Sequence, residues 1–134
     1  MEFPLVRMRR MRRTETLRRM VRETTLSADN FIQPFFVVHG KDVKRPVASM
    51  PGVHQLSIDH VVTEAKRTFD AGVPGIILFG IPDRKDKEGS ASWNGSGIVQ
   101  RATRAVKEAV PELAVIADVC FCEYTDHGHC GVLV

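Results

Sequence analysis

The chain predicts an α/β fold built on parallel strands, and three observations carry that expectation. Short apolar runs at 31–38, 75–80 and 113–119 read as buried strands. The two segments between them repeat apolar residues at helical spacing. Each of those segments ends at glycine or proline. The order is therefore β-α-β-α-β, with right-handed helical crossovers between parallel strands. Two architectures use it, an open doubly wound sheet and a closed eight-stranded barrel. FVVHGKD and LFGIPDRK match neither GxGxxG nor a P-loop, so a nucleotide-binding open sheet loses weight. In either architecture ligands gather at the carboxyl ends of the strands, here near His39, Gly80 and 118–122.

Each element follows from local chemistry. FIQPFFVV is rich in Phe and Val, although Pro34 removes a ladder donor. HGKDVKRPVASMPGVHQLS follows and reads as a long loop. Ser57 is placed to cap the next helix, whose stripe is Ile58, Val61, Val62, Ala65 and Phe69. Gly72 ends it as a left-handed cap and Pro74 prevents continuation. GIILFG reads as a strand buried on both faces. A second polar loop, IPDRKDKEGSASWNGSG, leads to a helix marked by Ile98, Val99, Ala102, Ala105, Val106, Ala109 and Val110, stopped by Pro111. LAVIADV is the third strand. Trp93, flanked by polar residues, reads as a lid or an interface anchor. His39, His54 and His60 are isolated and read as surface or packing residues.

Charge divides the chain. Residues 1–22 hold eight arginines against two glutamates, a net +6, which leaves −3 for the remainder of a chain whose total is +3. This basic arm, 1–30, has three readings besides a plain solvated segment. It contacts a neighbouring subunit, it is an organellar presequence, or it binds nucleic acid through phosphates. It lacks aromatic interleaving and any known nucleic-acid-binding module, so no nucleic-acid partner is expected. No apolar run approaches the roughly 20 residues of a membrane span, and no apolar signal core follows the first basic residues. A cytoplasmic protein without a membrane partner is the expectation.

All three cysteines lie in DVCFCEYTDHGHCGVLV, residues 118–134. An odd, clustered set in a reducing compartment favours metal ligation or reactive thiols over disulfides. If the third strand continues through Cys122, its alternation places Ile116, Asp118, Cys120 and Cys122 on one side. Gly128 then turns Cys130 back towards the first two. Three thiolates form a tetrahedral cup for Zn²⁺ and leave one position open for water or a substrate oxygen. Other readings stand beside this one. His127 or His129 closes the site as a structural Cys₃His centre, the cysteines are small buried hydrophobes without a metal, or Asp118 is only a turn former.

DVCFCEYTDHGHCG resembles the metal-binding segment of the porphobilinogen synthase (δ-aminolevulinic acid dehydratase) family. RRTETLRRMVRETTLS, PFFVVHG, SMPGVHQLS, LFGIP and GIVQRA agree as well, so the likeness covers essentially the whole chain. It implies the N-terminal part of a (β/α)₈ TIM barrel at 31–134, contributing three strands and two helices, preceded by an extended N-terminal arm at 1–30. It implies condensation of two 5-aminolevulinate molecules to porphobilinogen with loss of water, in tetrapyrrole (heme) biosynthesis. It implies a homo-oligomer, an octamer in the family, embraced by the arm. It assigns Cys120, Cys122 and Cys130 to a catalytic Zn²⁺ and Asp118 to an active-site carboxylate.

The family also uses two Schiff-base lysines from later barrel strands. Lys41, Lys44, Lys66, Lys85, Lys87 and Lys107 lie in expected loops or helices, and none follows a strand apolar enough to depress an amine pKa. These residues alone are therefore expected to be inactive. The alternative is a truncated paralogue that binds zinc or assists assembly without catalysis.

Overall fold

A computed structural model describes residues 4–133. Five strands form one sheet: β1 Ile32–Val38, β2 Lys44–Pro46, β3 His54–Leu56, β4 Gly75–Ile81 and β5 Ala114–Ala117, in the order β2-β3-β1-β4-β5. β1 is parallel to β3 and β4, and β4 is parallel to β5; β2 runs antiparallel to β3. The three expected strands are thus present, with the parallel pairing that their helical crossovers require. β2 and β3 occupy what reads in sequence as a loop. Each is three residues long, too short to show a period. β3 pairs with β1 only at Phe36 and Val37, so the stretch of β1 holding Pro34 has a strand neighbour on one side. A missing N–H is tolerated at such a position.

Helix α1 spans Glu15–Met20, α2 Ile58–Asp70 and α3 Ile98–Ala109. Both expected stripes face the sheet. Val61 and Ala65 of α2, and Ile98, Val99, Ala102 and Val106 of α3, join Phe35, Val37, Ile76, Leu78 and Leu113 in one core. At the end of α2, Gly72 takes φ +83°, its amide donates to the Phe69 carbonyl at 2.9 Å, and the Val73 amide donates to the Thr68 carbonyl at 3.1 Å. That is the left-handed cap expected of this glycine. Ser57 occupies the N-cap position but makes no capping bond. Its hydroxyl instead accepts from the Val43 amide at 2.9 Å, tying the β1–β2 connection to the start of α2.

The arm is not uniformly extended. It holds a turn at Arg10–Arg12 and α1, where Thr14 Oγ1 accepts from the Leu17 amide at 3.2 Å. No side chain of residues 4–30 is buried. Leu5, Met8, Met20 and Leu26 stand exposed among the arginines.

Both α2 and α3 pack on one face of the sheet. The other face presents Phe36, Ile77, Phe79 and Ile116, half-buried or exposed, with the Phe36 and Phe79 rings 5.5 Å apart. One face is sealed by helices and the opposite face is apolar and open.

Candidate metal centre at the carboxyl end of β5

β5 is shorter than its sequence suggests. It ends at Ala117, and the ladder runs one step further where the Asp118 amide donates to the Leu78 carbonyl at 3.2 Å. The chain then leaves extended geometry. A turn forms at 121–125, with the amides of Tyr124 and Thr125 both donating to the Phe121 carbonyl at 2.8 and 3.0 Å. Strand alternation therefore does not hold through Cys122, which corrects the expectation of a straight row of side chains. The turn is favoured because Tyr124 and Thr125 are buried at the end of the core, whereas a straight strand would carry them away from it.

The thiols converge nonetheless. Cys120 Sγ lies 3.4 Å from Cys130 Sγ, and Cys122 Sγ lies 3.1 Å from it. All three sulfurs fall within 4.8 Å of one another. Ligands at about 2.3 Å on a tetrahedral ion sit about 3.8 Å apart, so modest opening of this trio accommodates one. Electrostatics point the same way. Donation from the Cys122 thiol, then from Cys120, draws the Cys130 thiol down to about 7 from an ordinary 9.0. Its bond to Cys130, then that to Cys120, pushes Cys122 up to about 12. Cys130 therefore takes a negative charge readily, whereas Cys122 keeps its proton unless a cation joins the cluster.

Among the described residues, neither His127 nor His129 joins the thiol group. His127 Nε2 is 3.3 Å from the Lys87 carbonyl and its Nδ1 accepts from the His129 amide at 3.2 Å. The two rings stack on each other at 5.9 Å. Cys120 and Cys122 are half-buried and Cys130 is exposed, so they are not core hydrophobes. Asp118, also half-buried, lines a cleft of about 250 Å³ with Trp93, Gln100, Cys120 and Tyr124. Ser92 borders the same cleft, and its Oγ is buried without a hydrogen-bond partner among the described residues. The isolated histidines stand apart: His39 lies 3.4 Å from Asp83, and His60 lies 2.8 Å from Asp42. Asp42, Asp59 and His60 form a second cluster, with both aspartates exposed and His60 half-buried.

Sequence reasoning overlooked two residues here. Tyr124 is buried, and its hydroxyl lies against Gly80 at the end of β4, where a Cβ on Gly80 would come within 2.6 Å of it. Desolvation, then the Asp118 and Glu123 charges, raises its pKa. Thr125 is 1% exposed and its hydroxyl donates to the His129 carbonyl at 2.9 Å. Their sequence surroundings, EYTDHGH, are polar throughout and give no sign of burial.

Parallel strands crossed by helices on one face, with a thiol trio at a strand's carboxyl end, define a barrel-type α/β protein with a candidate metal centre. A family model described as delta-aminolevulinic acid dehydratase matches residues 5–134. The chain belongs to the delta-aminolevulinic acid dehydratase family. It is 62% identical over 131 residues to the delta-aminolevulinic acid dehydratase of Synechococcus elongatus, covering 98% of this chain and 40% of that protein. The same enzyme of Synechocystis sp. is 57% identical, again with 98% and 40% covered. A crystal structure of delta-aminolevulinic acid dehydratase (porphobilinogen synthase) from Toxoplasma gondii, in complex with the reaction product porphobilinogen, superposes with a TM-score of 0.89. That likeness has 32% identity and covers 96% of this chain and 37% of that one. The chain thus spans about 40% of the length of the cyanobacterial relatives. Its fold is the N-terminal part of a (β/α)₈ barrel, and the open apolar face of the sheet corresponds to a barrel interior.

Proposed function

We propose that these residues form the metal-binding portion of a zinc-dependent porphobilinogen synthase, which condenses two 5-aminolevulinate molecules to porphobilinogen with loss of water. The observation that carries this reading is the convergence of Cys120, Cys122 and Cys130 beside the cleft that Asp118 lines. Bound to three thiolates, Zn²⁺ supplies a Lewis acid with one open coordination position. The chain's own residues do the rest of what this portion contributes. Cys120, Cys122 and Cys130 would hold the cation, and Cys120 also lines the cleft with Asp118. Asp118 offers a carboxylate to the polar end of a substrate at the strand terminus. Tyr124 closes the floor above Gly80 and excludes water there.

The lysines set the limit of this portion. Lys41, Lys44, Lys66, Lys85, Lys87 and Lys107 are all exposed. Lys44 pairs with Glu64 at 3.7 Å, and Lys107 donates to the Leu113 carbonyl at 3.0 Å. An amine nucleophile needs desolvation or a cationic neighbour to lose its proton near neutrality, so none of the six suits Schiff-base chemistry. We assign these residues the metal half of the site and predict that, on their own, they do not turn over 5-aminolevulinate. The same placement of lysines is what favours the second reading, a zinc-binding or assembly paralogue without catalysis. The exposed arginines and apolar side chains of 4–30 suit a contact with a second copy of the chain in a homo-oligomer. Reduced, convergent thiols suit the cytoplasm. Among the described residues no helix is long and apolar enough to cross a membrane.

Metal stoichiometry tests the central claim. One Zn²⁺ per chain is expected, and Cys130→Ala should weaken binding at least about a hundredfold, more than loss of a supporting contact does. Equal binding by Cys130→Ala would exclude the trithiolate centre. Borohydride trapping with 5-aminolevulinate tests the lysines, and a stoichiometric adduct on any of the six would overturn their assignment.

A further inference from the structure

The segment that carries Cys130 is weakly supported from within. Gly128 and Gly131 flank it at φ +73° and +116°, with open space where a Cβ would be. The His129 amide is tied inside the same segment, to His127 Nδ1 at 3.2 Å. Two contacts tie it to the body: His127 Nε2 lies 3.3 Å from the Lys87 carbonyl, and the buried Thr125 hydroxyl donates to the His129 carbonyl at 2.9 Å. That carbonyl belongs to the peptide group leading into Cys130, so the bond fixes the plane from which the thiol projects.

Thr125 is itself held by the loop that follows β4. It forms a parallel bridge with Asp86. The Asp86 amide donates to the Tyr124 carbonyl at 3.3 Å, and the Asp126 amide donates to the Asp86 carbonyl at 3.1 Å. The Asp86 carboxylate accepts from the amides of Glu88 at 3.0 Å and Ser90 at 2.9 Å, and from the Ser90 hydroxyl. These bonds close a tight turn. Gly89, at its tip with φ +65°, is buried so closely that a Cβ there would lie 3.3 Å from the Tyr124 Cβ and 3.4 Å from the Thr125 Cγ2.

We propose that Thr125, locked by the Asp86–Ser90 turn, is a positioning residue that holds Cys130 against Cys120 and Cys122 and so sets the affinity of the trio for a thiophilic divalent cation. This inference rests on the metal-binding reading above. The physical reason is preorganisation. Cys120 and Cys122 lie close together where the chain leaves β5 and turns, whereas Cys130 lies ten positions on from Cys120, just past Gly128. Without the Thr125 anchor, cation binding has to supply the ordering of the Cys130 segment. Supporting contacts of this kind typically change metal affinity 10–100-fold.

The test uses the intact protein, made metal-free and titrated with Zn²⁺ against a chromophoric chelator. A parallel titration with Co²⁺ follows the thiolate-to-cobalt charge-transfer band. Thr125→Val keeps the shape and removes the hydroxyl, and it should lose about 10–100-fold in Zn²⁺ affinity and weaken the band, while Thr125→Ser stays within about threefold of the parent. Asp86→Ala should weaken affinity in the same direction. The double variant should be no weaker than the weaker single, because both act through one brace. A Thr125→Val protein with parental affinity and an unchanged cobalt spectrum overturns the proposal. If that variant does not fold, Asp86→Ala decides, and parental affinity there overturns it equally. A parent protein without a thiolate-to-cobalt band defeats the metal-binding reading itself, and the brace with it.

Discussion

At the scale of single residues, the thiols make a direct prediction in the metal-free protein. Cys130 sits at about 7 because Cys122 and Cys120 donate to its sulfur. Its alkylation rate by iodoacetamide should therefore rise through a midpoint near 7, falling as the pH drops below that value; a midpoint near the ordinary 9.0 would show that the thiols do not share a proton network. The thiol cluster is legible in composition, because three cysteines fall in one short segment, but its geometry is not that of a strand continuing through Cys122. The chain turns at Phe121, because Tyr124 and Thr125 are buried at the end of the core. Nothing local distinguishes a buried threonine in EYTDHGH from a solvated one, so the residue whose hydroxyl holds the His129 carbonyl leaves no sign in the sequence. Gly80 gives a second prediction. A Cβ there would lie 2.4 Å from Val99 Cγ2 and 2.6 Å from the Tyr124 hydroxyl. Gly80→Ala should cost about 1–3 kcal/mol in denaturant unfolding by overpacking, and it should also shift the Tyr124 absorbance, which separates it from a generic loss of stability.

At the scale of elements, length decided what could be read. α2, α3, β1 and β4 are long enough to display a period or a continuous apolar run, and each appears where the pattern places it. β2 and β3 have three residues each and are held by their pairing with each other and with β1, a tertiary effect that no local pattern records. The loop after β4 is a further case. It contains no regular strand, yet Asp86 and Thr125 pair across it. The Ser90 hydroxyl, then the Ser90 amide, holds the Asp86 carboxyl below the ordinary carboxylate range. A depressed carboxyl pKa contributes fully above the unfolded value and loses its contribution as the pH falls through the folded value. Amide exchange at Glu88 and Ser90 should therefore lose protection in acid, and Asp86→Asn should remove that pH dependence. Exchange that is unaffected by the substitution would show that the turn does not depend on the carboxylate.

At the scale of the whole molecule, the open face and edge of the sheet matter most. β5 pairs with β4 on one side, and among the described residues no strand pairs with its other edge. Ile116 is 39% exposed, Val119 85% and Phe121 38%, so apolar side chains continue past the strand end towards the cysteine loop. An unpaired edge beside an apolar face is a template for association. The 134 residues alone should therefore self-associate at micromolar concentration, with sedimentation coefficients that rise with loading. Ile116→Lys combined with Val119→Lys places charge on that surface and should shift the distribution towards monomer. Neither substitution touches the helix-packed core, so helix content by circular dichroism should stay unchanged. A parent chain that is monomeric across the concentration range would show that the face is shielded some other way. Association that persists in the double lysine variant would place the contact elsewhere, and the arm, with its exposed Leu5, Met8, Met20 and Leu26 among arginines, would be the surface to substitute next. Competition decides between these two surfaces. A peptide spanning residues 4–30 should dissolve an arm-mediated assembly and leave an edge-mediated one intact.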